Sequence, residues 1–292
     1  MKVTVLGSTG TIGRAVAQEL RSQGHDVTCP GRADLATLSL TGQEAVISCL
    51  ASRTGIPRDA WAVDHDLNAR ALDAAQRDGV AKFILLSALC VQKPRLAFQH
   101  AKLAFERKLI DAPLTHVIIR PTAFFKSLSG QMARVQAGRP FLTFGNGTLT
   151  ACKPISDGDL ARFVALCLTE AEKENRILPI GGPGPAITPK DQAKMLEEVL
   201  GAPVAIRAVP PGFLRAVGWL LDRPGRFAPG LMEKAALARI GHYYATESML
   251  VWDGARYDAD ATPEFGSDTL EEHYRALAQG EIADDRGAHA VF

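Results

Sequence analysis

The stretch VTVLGSTGTIGRAVAQELRSQGHDVTC, Val3 to Cys29, carries the reading on which the fold rests. VTVL, Val3 to Leu6, is a short apolar run that stops at a glycine, as a buried parallel strand does. GSTGTIG follows, with glycines at Gly7, Gly10 and Gly13. The next residues place Ala15, Val16 and Leu20 on one helical face and end at Gly24. DVTC, Asp26 to Cys29, reads as a second strand. Strand, glycine loop, helix and strand within about thirty residues make the dinucleotide-binding unit. Gly7 permits the tight turn out of the strand, Gly10 lets the backbone approach a pyrophosphate, and Gly13 allows close helix packing. The N–H groups and positive end of the helix then face the anion. The candidate cofactor-binding residues of this loop are Gly7, Ser8, Thr9, Gly10, Thr11, Ile12 and Gly13.

The loop spacing is GxxGxxG, which resembles the extended and atypical short-chain dehydrogenase/reductases. At the end of the second strand, where an NAD enzyme keeps an acid, stands Gly31-Arg32. An arginine there suits a 2′-phosphate, so the expected cofactor is NADPH (NADP+ after turnover). Asp34, two residues on, keeps NAD open as the alternative.

AVISCL (Ala45 to Leu50), KFILLS (Lys82 to Ser87), THVIIRP (Thr115 to Pro121) and RILPIGG (Arg176 to Gly182) continue the strand series. Helical patterns fall at 60–78 and 95–109. Alternating strands and helices predict an α/β fold, a Rossmann-type doubly wound parallel sheet. Ligands in such sheets lie at the carboxyl ends of the strands. That places Leu86, Ser87, Pro121 and the residues after them at the cleft. Beyond 182 a helix at 188–200, begun by Thr188-Pro189, a short strand at 205–209 and helices near 211–222, 230–242 and 268–279 predict a smaller, mostly helical C-terminal substrate lobe. The expected division is 1–182 for the dinucleotide-binding domain, with 122–146 contributing to the cleft, 183–280 for the lobe, and 281–292 as a frayed tail.

Over 292 residues the formal charge is +1, and basic residues are scattered without a stripe, so no nucleic-acid partner is expected. The five cysteines form no CxxC pair and read as small apolar residues in a reducing cytosol. No apolar run is long enough to span a bilayer, and the chain enters a strand at once, so neither a membrane span nor a signal peptide is expected. There is no HExxH, Cys/His cluster or acidic cage, so no protein-bound metal is expected. The oligomeric state is open.

FQHAKLAFE, Phe98 to Glu106, holds a lysine at Lys102. Four residues earlier, where the common enzymes of this class keep a proton-donating tyrosine, stands Phe98. All four tyrosines lie beyond residue 240, and none has a lysine four residues later. Ser87 and Lys102 therefore remain as candidate catalytic residues without the phenol that protonates a carbonyl oxygen. Either the chain binds cofactor without chemistry, or it reduces a carbon–carbon double bond conjugated to a π-system that spreads the negative charge. An exposed helix lysine and a serine helix cap are the plain alternatives for these two residues.

FQHAKLAFE, IIRPTAFFKSLSGQ (Ile118 to Gln131), GNGTLTACKPISDGDLA (Gly145 to Ala161), ILPIGGPGPAITPKDQAKMLEEVLG (Ile177 to Gly201) and YYATESMLVWD (Tyr243 to Asp253) occur in this order. Together they resemble the NADPH-dependent divinyl chlorophyllide a 8-vinyl-reductase family, within the NmrA-like atypical short-chain reductases. The segment between Arg32 and Asn68 looks short beside plant members. The resemblance implies reduction of the 8-vinyl group of a magnesium tetrapyrrole, divinyl chlorophyllide or protochlorophyllide, to ethyl in chlorophyll or bacteriochlorophyll synthesis. It implies that Lys102 hydrogen-bonds the nicotinamide ribose.

A flat apolar substrate needs apolar walls, for which Phe124 and Phe125 are the candidates, with Phe141, Phe144, Phe213 and Trp219 as possible extensions. Lys126, Arg134, Arg139 and Lys153 are candidates to hold its carboxylate, Lys153 first among them. The proton donor is open among Lys102, Tyr244, Glu247 and water. Residues 210–227, apolar with basic punctuation, suit a lid, a weak membrane-surface contact or an amphipathic helix packed on the sheet, with the protein cytoplasmic or peripheral to photosynthetic membranes. Two other functions stay open: an NmrA-type NADP(H) sensor without catalysis, and a reductase of another conjugated alkene, as in isoflavone-type reductases.

Overall fold

The computed structural model describes residues 1–225 and 229–283. Its elements in chain order begin β1 (Lys2–Leu6), α1 (Thr11–Ser22), β2 (Asp26–Thr28), β3 (Ala45–Ser48), α2 (Pro57–Ala60), α3 (Asn68–Arg77), β4 (Lys82–Leu86), α4 (Ala97–Ile110) and β5 (Thr115–Pro121). Then follow α5 (Phe125–Leu128), α6 (Met132–Gln136), β6 (Phe141–Phe144), α7 (Asp157–Thr169), β7 (Arg176–Ile180), α8 (Pro189–Leu200) and β8 (Ile206–Val209). Last come α9 (Gly212–Gly225), α10 (Pro229–Thr246), β9 (Val251–Trp252), β10 (Tyr257–Asp258) and α11 (Leu270–Gln279).

The chain forms two compact units. The first comprises residues 1–52, 57–121 and 157–180, and the second 53–56, 122–156 and 181–292. The sequence reading assigned 1–182 to one domain; by packing, 122–156 group with the C-terminal residues instead. The expected tail is described only to residue 283, so 284–292 lie outside the described residues, as do 226–227 of the apolar segment.

The first unit is a six-stranded sheet in the order β2-β1-β3-β4-β5-β7, and all its pairings are parallel. The inner strands β1, β3, β4 and β5 are largely buried on both faces because most of their residues are apolar, and β3 and β4 have no exposed position, whereas β2 and β7 at the edges are partly exposed. Alternation sorts the faces. Leu6, Val46, Phe83 and Ile118 pack with Leu72 of α3 and Phe105 of α4. The Phe83 and Phe105 rings lie 5.9 Å apart. On the other side α1 and α7 pack together. Strands β1 and β3 are neighbours although β2 lies between them in sequence. The chain reverses direction across the sheet there, which opens a crevice at their carboxyl ends.

The helix expected across 60–78 is not continuous. Trp61–Leu67 is a π-helix between α2 and α3. Widening a helix leaves carbonyls without their usual donors. The Asn68 side chain supplies donors, reaching Val63 O at 3.2 Å and Asp64 O at 3.3 Å. Its own carbonyl accepts the Ser48 hydroxyl at 2.5 Å, which pins the widened turn to the end of β3.

In the second unit β6 pairs with β8 in parallel. Neither β6 nor, in the first unit, α7 was expected. α7 is buried on nearly every side and so shows no amphipathic stripe to read. α8 begins as expected: the Thr188 side chain accepts from Asp191 N, Asp191 bonds back to the Thr188 N–H, and Pro189 fills the first turn. Single β-bridges join Cys152 to both Ile187 and Met249, so the residue that precedes KPIS lies beside the last residue of ATESM. Among the described residues no helix is long and apolar enough to cross a membrane.

Candidate active site

The turn from β1 into α1 has the geometry that its glycines predict. Gly7 has φ +76°, in the left-handed region, and a Cβ there would stand 2.8 Å from the Cys49 carbonyl oxygen. A Cβ on Gly13 would meet Gly7 O at 2.3 Å, so Gly13 lets α1 press against the loop itself rather than against the sheet. A Cβ on Gly10 would find only Gly7 O, at 3.4 Å, so its outer side is open to a ligand. Gly10 caps α1, and no side chain completes that cap. A helix start left uncapped from within the chain is the arrangement that a pyrophosphate completes.

After β2, Arg32 is exposed. Asp34, the residue that kept NAD open, turns inward on its own loop, and its carboxylate accepts from Gly31 N at 2.8 Å. It shapes the turn that presents Arg32.

The two candidate catalytic residues, Ser87 just after β4 and Lys102 within α4, have separate partners. Ser87 is buried, and its hydroxyl donates to Glu106 Oε1 at 2.5 Å. Glu106, itself buried on α4, is gripped by Arg120 of β5 through Nη2 to Oε2 and through Nε to Oε1 at 3.2 Å. The single Ser87 proton is thus committed to a carboxylate. By donating to Glu106 the hydroxyl ties β4 to α4 and β5, and toward any further partner its oxygen is left to accept. Lys102, one helical turn before Glu106, is also buried, and its Nζ lies 3.0 Å from Asp64 Oδ1 in the π-helix. It is not the exposed helix lysine of the plain alternative. Asp64 was not anticipated; its signal was a carboxylate on the apolar face of the 60–78 pattern, one turn before the equally buried Asn68.

The remaining residues of FQHAK also sort clearly. Phe98 is half-buried and His100 exposed. Gln99 is buried; its oxygen accepts from Arg95 N at 2.7 Å and Leu96 N at 2.9 Å, and its nitrogen donates to Cys90 O at 3.0 Å. It anchors the loop after β4 to the start of α4. Leu86 and Pro121, both buried, end their strands.

Several substrate-side expectations change, all of them in the second unit. Phe125 is a core residue packed with Met132, Val135 and Phe141, its ring 5.5 Å from that of His273, because the short helix it starts turns it inward. It is not a wall of a cleft, and neither is Phe141. Phe124 is half-buried and bridges to Ile155. Lys153 is buried and paired with Glu264, whose carboxylate also accepts from Gly184 N at 3.1 Å. The Lys153 ammonium, then the Gly184 N–H, hold the Glu264 carboxyl below its usual range. Lys153 therefore already has a carboxylate. Phe213 and Trp219 lie exposed on α9. Glu247 is buried, and its Oε2 accepts the Tyr257 hydroxyl at 2.5 Å. Tyr244 is partly exposed, edge-on to Tyr243.

A parallel six-stranded sheet, an uncapped glycine turn at its switch point and a buried lysine on α4, with Phe98 four residues before it, define a class: Rossmann-type NAD(P)H-dependent oxidoreductases. The family model described as NAD(P)H-binding matches residues 31–171. Divinyl chlorophyllide a 8-vinyl-reductase of Oryza sativa subsp. indica is 42% identical to the chain, over 99% of the chain and 82% of that protein. The corresponding protein of Zea mays is 41% identical over the same shares. The solved structure of MoeE5 in complex with UDP-glucose and NAD has a TM-score of 0.70 at 17% identity, covering 97% of this chain and all of that one, a likeness of fold. The chain belongs to the divinyl chlorophyllide a 8-vinyl-reductase family. The alignment to the rice protein runs over 331 positions, more than the 292 of this chain, so that relative carries residues this chain lacks.

Proposed function

We propose that this chain reduces the 8-vinyl group of a divinyl magnesium tetrapyrrole to ethyl, with NADPH as the reductant. The observation that carries it is family membership over nearly the whole chain, combined with an α4 that has kept Lys102 and lacks the phenol. When bound, NADPH supplies a hydride. The glycine turn and the first turn of α1 would hold its pyrophosphate, Arg32 its 2′-phosphate, and Lys102 the nicotinamide ribose. What these residues do is position: they fix one face of the reductant against the alkene. No group beside a carbonyl oxygen is needed, because the conjugated macrocycle spreads the charge left by hydride transfer. The proton that completes the ethyl group goes to carbon. Its donor is Lys102, Tyr244, Glu247 or water, and of these Glu247 also accepts the Tyr257 hydroxyl.

The test follows the Soret band of a divinyl pigment mixed with protein and NADPH, with NADH in a parallel arm. A blue shift with NADPH that is slower or absent with NADH is the expected result. An unchanged spectrum despite tight NADPH binding would make the chain a sensor. Turnover of small phenolic alkenes and none of tetrapyrroles would move it to another reductase class. Equal use of NADH would remove Arg32 from its role.

A weak peripheral contact with a lipid surface is part of the same reading. Phe213, Trp219 and Leu220 of α9 and Met232 of α10 are exposed, with Arg215 and Lys234 on the same two helices also exposed. Co-sedimentation with anionic vesicles should exceed that with neutral ones, and Trp219→Ser with Leu220→Ser should abolish it.

A further inference from the structure

Lys102 and Asp64 form a buried ion pair whose two halves come from different elements. Lys102 belongs to α4, and Asp64 to the π-helix that follows α2. The Asp64 carboxylate is almost fully enclosed. Its Oδ1 takes the lysine at 3.0 Å and the Ser52 N–H at 3.3 Å, while Oδ2, also buried, has no hydrogen-bond partner. A buried carboxylate oxygen left unsatisfied is costly, and a folded chain keeps few of them. Packing alone would favour an apolar residue here, since a buried pair is seldom better for stability than well-packed hydrophobic side chains.

The surrounding geometry shows what the carboxylate is for. The π-helix departs from the α-helical register at the turn that contains Asp64. The departure is held open by Asn68, which takes the carbonyls of Val63 and Asp64 and is itself tied to Ser48 at the end of β3. Single widened turns of this kind cluster at functional sites. Through Ser52 N the carboxylate is also bound to the chain leaving β3, at the carboxyl edge of the sheet where the cofactor crevice lies. The widened turn, Asn68 and Ser48 thus form a rigid mount for one carboxylate, and the mount ends on Lys102.

We infer that Asp64 is a positioning residue: it fixes the direction of the Lys102 ammonium so that the lysine meets the cofactor ribose without first being ordered. This rests on the reading that Lys102 contacts that ribose. A flexible lysine would lose rotamer freedom on binding NADPH; one already held in place loses little, and the difference appears as affinity.

The test is a double-mutant cycle in NADPH affinity, read by fluorescence with the full chain: wild type, Lys102→Met, Asp64→Asn, and the two together. Asparagine keeps an acceptor for Ser52 N and removes the charge. Each single change should weaken NADPH binding about 10-fold or more. The pair together should be no worse than Lys102→Met alone. In Asp64→Asn the KM for NADPH should rise while the KM for pigment holds. Wild-type affinity in Asp64→Asn overturns the inference, as does an equal loss on adding Asp64→Asn to Lys102→Met, since the carboxylate would then act elsewhere. Wild-type affinity in Lys102→Met sinks the ribose reading first and the inference with it, and so distinguishes the two failures. If Asp64→Asn fails to fold, Asp64→Glu takes its place: it keeps the charge but moves it by one methylene, and should weaken NADPH only where Lys102 is present.

Discussion

Replacing Glu106 by alanine is expected to lower the stability of the first unit by about 3–5 kcal/mol, because it breaks a buried charge pair from one side. Glu106 lies on α4 with 2% of its side chain exposed and holds the Arg120 guanidinium of β5, itself only 18% exposed. It also accepts the Ser87 hydroxyl from the end of β4. One carboxylate thus joins a helix to two adjacent strands at the edge where the cleft lies. Without it Arg120 is left with its charge uncompensated and Ser87 with an unmatched donor. Since domains are stable by about 5–15 kcal/mol in total, this removes a large share of the margin. Urea denaturation of Glu106→Ala measures this directly. Glu106→Leu combined with Arg120→Met removes both charges and should recover most of the loss. Ser87→Ala belongs to the same experiment. It forfeits one hydrogen bond to a charged acceptor, about 1.5–3 kcal/mol, and should leave kcat near wild type. A large fall in kcat at unchanged stability would return Ser87 to the chemistry.

The contrast between Ser87 and Lys102 shows what the sequence could and could not reveal. Both matched a pattern by position, and both turned out buried and paired. A serine at the end of a strand reads the same whether its proton goes to a substrate or to a carboxylate on the neighbouring helix. The partner, Glu106, lies on another element, and nothing in local periodicity names it. Asp64 was hidden for the same reason. It is far from Lys102 in sequence, and the widened turn that carries it looks like ordinary helix in its apolar pattern. The inner strands β3 and β4 were legible because each is largely an apolar run, and burial on both faces demands such runs, whereas the partly exposed β2, Asp-Val-Thr, was legible from its place after the glycine loop and helix. Strand ends were read one or two residues long at Cys29, Cys49 and Gly181, where the chain leaves the ladder for the crevice side or a turn. The helix read at 188–200 runs Pro189–Leu200 with Thr188 as its cap, legible to within one residue because Thr188, Pro189 and Asp191 satisfy its first turn by local chemistry alone. Phe125 was misread because two adjacent phenylalanines after a strand say nothing about which one the following helix turns inward.

The glycine turn gives the second large effect, and a comparison inside one loop locates the cofactor. Gly13→Ala puts a methyl group 2.3 Å from the Gly7 carbonyl oxygen, a backbone atom that cannot swing aside. The loop must shift by about 1 Å to restore van der Waals contact, and a misplacement of that size costs about 100-fold where groups must align. Stability should fall as well, by about 1–3 kcal/mol, as overpacking does. Gly10→Ala is different. Its φ is −77°, which alanine adopts freely, and its methyl would come no closer than 3.4 Å to Gly7 O. No protein atom opposes it, so the melting temperature should stay within a few degrees of wild type. A pyrophosphate drawn onto the N–H groups of α1 would meet that methyl directly, so NADPH affinity should drop about as far as in Gly13→Ala. Calorimetry for stability and NADPH titration for affinity separate the two variants. If Gly10→Ala binds NADPH like wild type, the phosphates do not lie across this turn, and the role of the helix start as their anchor is lost even though the fold around it is intact.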